Sequence, residues 1–280
     1  MGEERGNADQ VAYWNGPTGK RWTEQQETMD ASLLPMAEAA LAAAAARPGE
    51  HVLDVGCGTG ATTLMLAGQV GASGAVLGVD ISQPMLSRAR ERAAGQGNVS
   101  FIEADASTHI FAPRGFDLLF SRFGVMFFAD PLSAFRNLHG AMNPSGRMAF
   151  VCWRPLRENP FALVPMGAAL KHLPPQPPAD PNAPGPFAFG DKDRVTGLLS
   201  KAGFKDVRFA ALNTTMVMAR KPETAAKEAV YVGMASRLLK DAPEEVKAKV
   251  VAELTETFAR HMGPDGVTFP AHCWVVTGRA

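Results

Sequence analysis

The run Val52 to Gly60, V-L-D-V-G-C-G-T-G, sets an acid inside an apolar stretch and then places glycines at alternate positions, Gly56, Gly58 and Gly60. The apolar stretch reads as a buried strand. Glycine lets backbone approach a ligand closely and take positive φ without a Cβ clash. A strand that ends in such a turn and feeds a helix leaves free N–H groups at the helix start, a cradle of nucleotide size. Asp80 ends a second apolar run, A-V-L-G-V-D, where a carboxylate can accept from both hydroxyls of a ribose. Asp105 ends a third, V-S-F-I-E-A-D, where an acceptor and the following backbone can read an adenine edge. Ligands of open parallel α/β sheets bind outside the carboxyl ends of the strands, and all three features fall on that edge. The chemistry is that of holding a nucleoside cofactor.

The elements that must position these residues follow from the pattern around them. From His51 onward strand and helix alternate, which predicts a parallel sheet. Residues up to about Asn15 read as a loose tail, followed by helices over 19–29 and 32–46. Ser82 with Pro84 opens a helix ending near Ala94, and Asp130-Pro131 is an N-cap followed by proline in the first turn. Asp191 caps a helix that stops at Gly203. Strand five covers 147–153. Seven prolines then fall between Pro174 and Pro186, which no helix or central strand tolerates, so this is a loop in a long insertion. A sixth strand over 205–211 precedes a second insertion. There 223–239 and 243–261 read as helices, with Val230, Met234 and Leu238 four apart on one face. A final strand covers 267–277.

With these residues in place the chain resembles the class I S-adenosylmethionine-dependent methyltransferases. The likeness runs from about His51 to Trp153 and more loosely to the C-terminus. It implies that Asp54 and the Gly56–Gly60 backbone hold the methionine end, Asp80 the ribose, and Asp105 with Ala106 the adenine. Ile81 resembles the apolar residue that packs on the adenine face. Ser121, closing F-D-L-L-F-S, resembles the residue that faces the methionine moiety. The segment N-P-S-G-R at Asn143 to Arg147 resembles the family's turn before strand five, with Ser145 where a second glycine is usual. The implied fold is a doubly wound, seven-stranded Rossmann-like sheet whose last strand is antiparallel and lies between strands five and six. The implied organisation is an N-terminal helical lid over 1–50 and a core over 51–280, with helical cap insertions at about 155–190 and 212–264.

The implied cofactor is S-adenosyl-L-methionine and the implied acceptor a small, partly apolar molecule methylated at oxygen or nitrogen, as in the quinone- and small-molecule-methylating branch. Methyl transfer from a sulfonium is an in-line displacement, so the protein mainly positions and desolvates, and only a hydroxyl acceptor wants a base. No catalytic residue stands out. Related N-terminal segments fold over the cofactor, so Trp14 and Trp22, in Y-W-N-G-P-T-G-K-R-W, are expected either at the transfer site or as docking contacts of a terminal helix. Phe123 is expected to face the substrate, and Phe127 and Phe128 to be core. Among the six histidines, His109, His172 and His261 could reach a pocket, with His172 kept as a substrate residue. His51, His139 and His272 read as structural. After strand four the chain has Ser121-Arg122-Phe123-Gly124 rather than the Asn/Asp-Pro-Pro-aromatic motif of enzymes that methylate amide or base nitrogens.

Two other classes stay in view. Gly56-x-Gly58-x-x-Ala61 also fits the looser dinucleotide pattern, a weak signal alone, and would make the chain a nicotinamide oxidoreductase. Asp54 inside the first strand and a second nucleoside acid at Asp105 favour methyl transfer. A non-catalytic module that keeps the cofactor pocket is the other class. Composition narrows the rest. At 280 residues with 46% hydrophobic content the chain can build a full core. Lys+Arg and Asp+Glu balance at 28 each, which argues against nucleic acid as the main partner. Cys57, Cys152 and Cys273 are too few and scattered for a disulfide framework or a metal site, and fit a reducing cytoplasm. No secretory signal is visible, and the Ala37–Ala46 run is too short, and carries Glu38, for a membrane span.

Overall fold

The computed structural model describes residues 7–177 and 180–280. Residues 1–6 of the expected tail and Pro178 of the proline-rich loop lie outside them. The chain divides into two compact units. The first comprises Met1–Trp153, Asn182–Leu212 and Cys273–Ala280, and the second Arg154–Pro181 and Asn213–His272.

In chain order the elements are α1 (Ala8–Asn15), α2 (Pro17–Glu24), α3 (Gln26–Ala44), β1 (His51–Val55), α4 (Ala61–Val70), β2 (Ala75–Asp80), α5 (Gln83–Arg92), β3 (Val99–Glu103), β4 (Phe116–Arg122), α6 (Pro131–Ala141) and β5 (Met142–Trp153). There follow α7 (Pro160–Lys171), α8 (Lys192–Ala202), β6 (Lys205–Ala219), α9 (Pro222–Ala229), α10 (Met234–Leu238), α11 (Glu244–Ala259), β7 (Met262–Gly263) and β8 (Gly266–Arg279). The sheet order is β3-β2-β1-β4-β5-β8-β6, with the short β7 paired to β8. β1 to β5 pair in parallel, while β5 and β8 are antiparallel from Arg147↔Arg279 to Trp153↔Cys273. This is the doubly wound sheet with its last strand antiparallel between β5 and β6. Its eighth strand is the two-residue β7. β2 and β3 lie on one side of β1, and β4 and β5 on the other, so the winding reverses between β1 and β4. Ligands of such sheets settle at that reversal.

Local chemistry explains most boundaries. Asp130 accepts the Ser133 N–H at 3.1 Å and starts α6, and Asp191 accepts from Asp193 and Arg194 and starts α8. Strands β1 and β4 are buried along most of their length, as strands covered on both faces must be.

Five expectations need correction. Of the expected tail, Ala8–Asn15 form a helix, α1, and the following helices break at Gly16 and Gln25 rather than near residue 30. Ser82 and Pro84 open α5 as expected, but the Ser82 hydroxyl makes no cap bond, because it donates to the Trp14 carbonyl at 2.7 Å. The Asn143–Arg147 segment is a bulge inside β5 rather than a turn before it. Pairing jumps there from Phe116↔Met142 to Leu118↔Arg147, and Asn143 donates to Asp117 Oδ1 at 2.6 Å. β6 runs on to Ala219. The helix expected over 223–239 is broken, since Gly233 takes φ +94° between α9 and α10.

The second unit has its own core. Ala168 and Ala169 of α7, Ala225, Ala226 and Ala229 of α9, and Val250, Leu254 and Phe258 of α11 pack with Val267 and Phe269 of β8. The α11 residues fall at i, i+4 and i+8, one apolar stripe. Among the described residues no helix is long and apolar enough to cross a membrane.

Candidate active site

The glycine turn takes the backbone its residues promised. Gly56, Gly58 and Gly60 sit at φ +68°, +55° and +80°. At Gly56 a Cβ would lie 2.6 Å from the Cα of Gly124, so the exits of β1 and β4 touch backbone to backbone at the winding reversal. Beneath the turn Asp54 is fully buried. Its Oδ2 accepts from the hydroxyls of Thr62 at 2.9 Å and Thr63 at 2.7 Å, while Oδ1 has no hydrogen-bond partner. Burial pushes its carboxyl up to about 6, against the pull of those two hydroxyls and the field of Arg122. Cys57 within the turn is buried and its thiol is pushed well up, so it is no nucleophile.

Asp80 closes β2 and organises the same turn. Its Oδ2 accepts the Gly58 N–H at 2.8 Å and its Oδ1 the Ser82 N–H at 2.9 Å. Burial raises this carboxyl, and the N–H groups of Ser82, Gly58 and Ile81 counter part of that rise. Each oxygen keeps a lone pair for a further donor. After β3, Asp105 Oδ1 accepts the N–H and hydroxyl of Ser107 at 2.9 and 2.6 Å. Asn137 fixes the next turn by donating to the carbonyls of Ala106 and His109.

The β4 exit carries two side chains of opposite fate. Ser121, expected at the methionine end, is buried. It donates to the Val55 carbonyl at 2.7 Å and accepts the Gly124 N–H at 3.1 Å, so its hydroxyl braces the β1–β4 junction. Phe123 is held at φ +63°, a strained conformation for a bulky residue, and its ring stacks on Trp153 at 4.3 Å and 11°.

The N-terminal helices complete this edge. Trp14 meets Trp22 at 5.8 Å and Phe127 at 5.4 Å, both edge to face. Phe127, expected to be core, is therefore half-buried under the N-terminal segment, whereas Phe128 is core. Asn15 donates to the Ile81 carbonyl at 2.8 Å and accepts the Gln83 N–H at 2.9 Å, binding the loop that follows Asp80. His172 belongs to the second unit, where its Nε2 meets Glu253 at 3.0 Å beside Lys171. His109 stacks edge-on with Phe111, and His261 lies against Phe269.

Sequence reading missed Asn15, Arg122 and Trp153. For Arg122 the available signal was its place between Ser121 and Phe123 on a strand exit.

A glycine cradle, a buried acid with an unmatched oxygen and a second acid at the next strand end meet at the winding reversal of a Rossmann-like sheet. Residues 52–146 match the family model described as a methyltransferase domain. The aklanonic acid methyltransferase DauC of Streptomyces sp. (strain C5) is 36% identical over 137 residues, 46% of this chain and 62% of that enzyme's length. The nocamycin O-methyltransferase of Saccharothrix syringae is 30% identical over 246 residues, 83% of this chain and 86% of the relative. Among solved structures, a putative methyltransferase from Bacillus halodurans C-125 superposes with a TM-score of 0.58 at 18% identity, over 87% of this chain and 97% of that one. The chain belongs to the class I S-adenosylmethionine-dependent methyltransferases. It is an enzyme of that type, and its cofactor is S-adenosylmethionine.

Proposed function

We propose that this methyltransferase acts on an oxygen or nitrogen of a small, planar, partly apolar molecule. The observation that carries the reading is the Phe123–Trp153 stack at the exits of β4 and β5. Strain at Phe123 of about 1–3 kcal/mol persists because its surroundings, the Trp153 stack among them, fix the ring. A flat aromatic wall next to the glycine turn suits a ring-bearing acceptor and excludes water from it. The names of two relatives, an aklanonic acid methyltransferase and a nocamycin O-methyltransferase, support a small-molecule acceptor.

The cofactor's fit is carried by the turn and by Asp54. The turn's three positive-φ glycines leave its backbone bare on the ligand side, while Cβ atoms there would collide with Gly124, Met85 and Ala89. Asp54 Oδ1 has no hydrogen-bond partner. When bound, the cofactor supplies an electrophilic methyl group on a sulfonium. In this reading Asp54 and the Gly56–Gly60 backbone hold its amino-acid end and Asp80 accepts from its ribose. Asp105 and Ala106 meet its adenine edge, with Ile81 against the ring face. Ser121 keeps the β1 and β4 exits at fixed spacing, and Trp14 with Trp22 closes the edge as part of an N-terminal lid. The second unit is assigned to acceptor selection, His172 included. The buried free thiols of Cys57, Cys152 and Cys273 fit a cytoplasmic setting.

The test is mass spectrometry of reactions with S-adenosylmethionine and a panel of hydroxylated polyketides, quinols and aromatic amines. Gain of one CH2 on a panel member is the expected outcome. Conversion confined to nucleic acid or protein acceptors would overturn the reading.

A further inference from the structure

The exit of β4 carries a buried cation whose partners fall short. The Arg122 side chain is 10% exposed, and its nearest acid oxygen, Asp30 Oδ1, lies 3.7 Å away, beyond hydrogen-bond length. Asp30 Oδ1 has no hydrogen-bond partner either. Its Oδ2 is already taken by Arg92 at 3.0 Å and Gln26 at 2.6 Å. A guanidinium offers five donors in a planar fork, and leaving a buried one unused is costly.

Register says what Arg122 faces. Asp54 pairs with Phe120 across β1 and β4, so Arg122, two residues on, lies on the same face of the sheet as Asp54 and opposite Gly56. Asp54 Oδ1 is the other unmatched group there. One end of the cradle thus presents a cation held only by a long ion pair to Asp30 and a carboxylate oxygen with no hydrogen-bond partner. A neutral ligand could hydrogen-bond to both but would compensate neither charge. An amino-acid zwitterion would satisfy both, its carboxylate meeting the guanidinium fork and its ammonium facing the acid.

We infer that Arg122 grips the α-carboxylate of the cofactor's methionine half, with Asp54 on the ammonium side and Asp30 of α3 holding the guanidinium in place. The inference rests on the S-adenosylmethionine assignment. It makes α3 a participant in cofactor binding through Asp30, although Asp30 itself touches only protein. Arg92 extends the arrangement to the turn, since it also donates to the Thr59 carbonyl at 2.8 Å.

Calorimetric titration of S-adenosylhomocysteine, its decarboxylated analogue and 5′-methylthioadenosine tests this without turnover. Wild type should prefer S-adenosylhomocysteine over the decarboxylated analogue by about 10- to 100-fold, the range for a charge-assisted hydrogen-bonded pair. Arg122→Gln should abolish that preference, lowering affinity for S-adenosylhomocysteine while leaving the other two ligands within about twofold. Arg122→Lys should keep part of it. Equal loss for all three ligands, or unchanged binding of S-adenosylhomocysteine, would overturn the assignment and leave Arg122 as a brace between α3 and β4. Should Arg122→Gln not fold, the wild-type comparison still decides, because equal affinity for the two homocysteine ligands overturns the proposal alone. Failure of wild type to bind any of the three would overturn the cofactor assignment and the proposal with it.

Discussion

Asp54 is the residue where binding and stability pull apart. It is closed off from solvent, with two hydroxyls on one oxygen and no hydrogen bond on the other. Its carboxyl, pushed to about 6 by burial, binds a proton more tightly in the folded chain than in the unfolded one. The contribution to stability is therefore greatest below the unfolded value of 3.8, is lost as pH rises through about 6, and above that is an outright cost. The cost is of order 3 kcal/mol. The groups that face it are Thr62 and Thr63 of α4, Asp80 of β2 and Arg122 of β4. Asp54→Asn should raise the melting temperature by several degrees at about pH 7.5, with most of that gain gone near pH 4.5 and the remainder lost below the unfolded value of 3.8. Cofactor affinity should fall in the same variant. Scanning calorimetry at the two pH values with and without S-adenosylhomocysteine reads both effects. A variant less stable than wild type at both would show that Asp54 is held as a structural acid instead. A destabilised residue kept under a ligand turn is the trade expected of a site built for binding.

At the scale of elements, α1 and α2 are fastened to the nucleoside edge by one side-chain amide. Asn15 pairs with the carbonyl of Ile81 and the N–H of Gln83 as a neighbouring strand would, and Ser82 returns a bond to Trp14. Gly19 admits the contact, since a Cβ there would stand 1.8 Å from the Trp14 carbonyl oxygen. Asn15→Ala removes both bonds to this edge and a third to the Val11 carbonyl, each worth about 0.5–1.5 kcal/mol. Hydrogen exchange in α1 and α2 should quicken several-fold or more, and S-adenosylhomocysteine should dissociate faster. Unchanged protection would mean that the aromatic cluster around Trp14 holds these helices by itself.

This is also where the sequence was least legible. α1 has no buried residue of its own, and the Gly16-Pro17 corner reads as the end of a tail. What makes it helical is distant, namely Phe127 and the loop after Asp80. The glycine turn was legible because its requirement is local: positive φ, no Cβ, and a helix to follow. Arg122 was not, because its meaning comes from desolvation beside Asp30, an acid on another element. The bracing bonds of Ser121 were not legible either, because sequence gives a position, not which groups the hydroxyl bonds.

Over the whole molecule, two insertions far apart in sequence close on one another to make a second core, and the first unit makes its own around the sheet. The insertions themselves were legible from where the strand–helix alternation stopped. Their shared core was not, since neither segment is apolar enough to announce a partner. Phe258 sits at its centre, fully buried and edge to face with Phe269 at 5.6 Å. Phe258→Ala should remove about 3–5 kcal/mol from this core. Every residue assigned to the cofactor belongs to the first unit, so affinity for S-adenosylhomocysteine should stay within about twofold while acceptor turnover falls. Titration calorimetry on the variant, set beside its kcat/KM for the acceptor, separates the two. A matching loss of cofactor affinity would mean that the glycine turn and Asp80 draw their rigidity from the insertions, and the division of labour between the two units would then have to be given up.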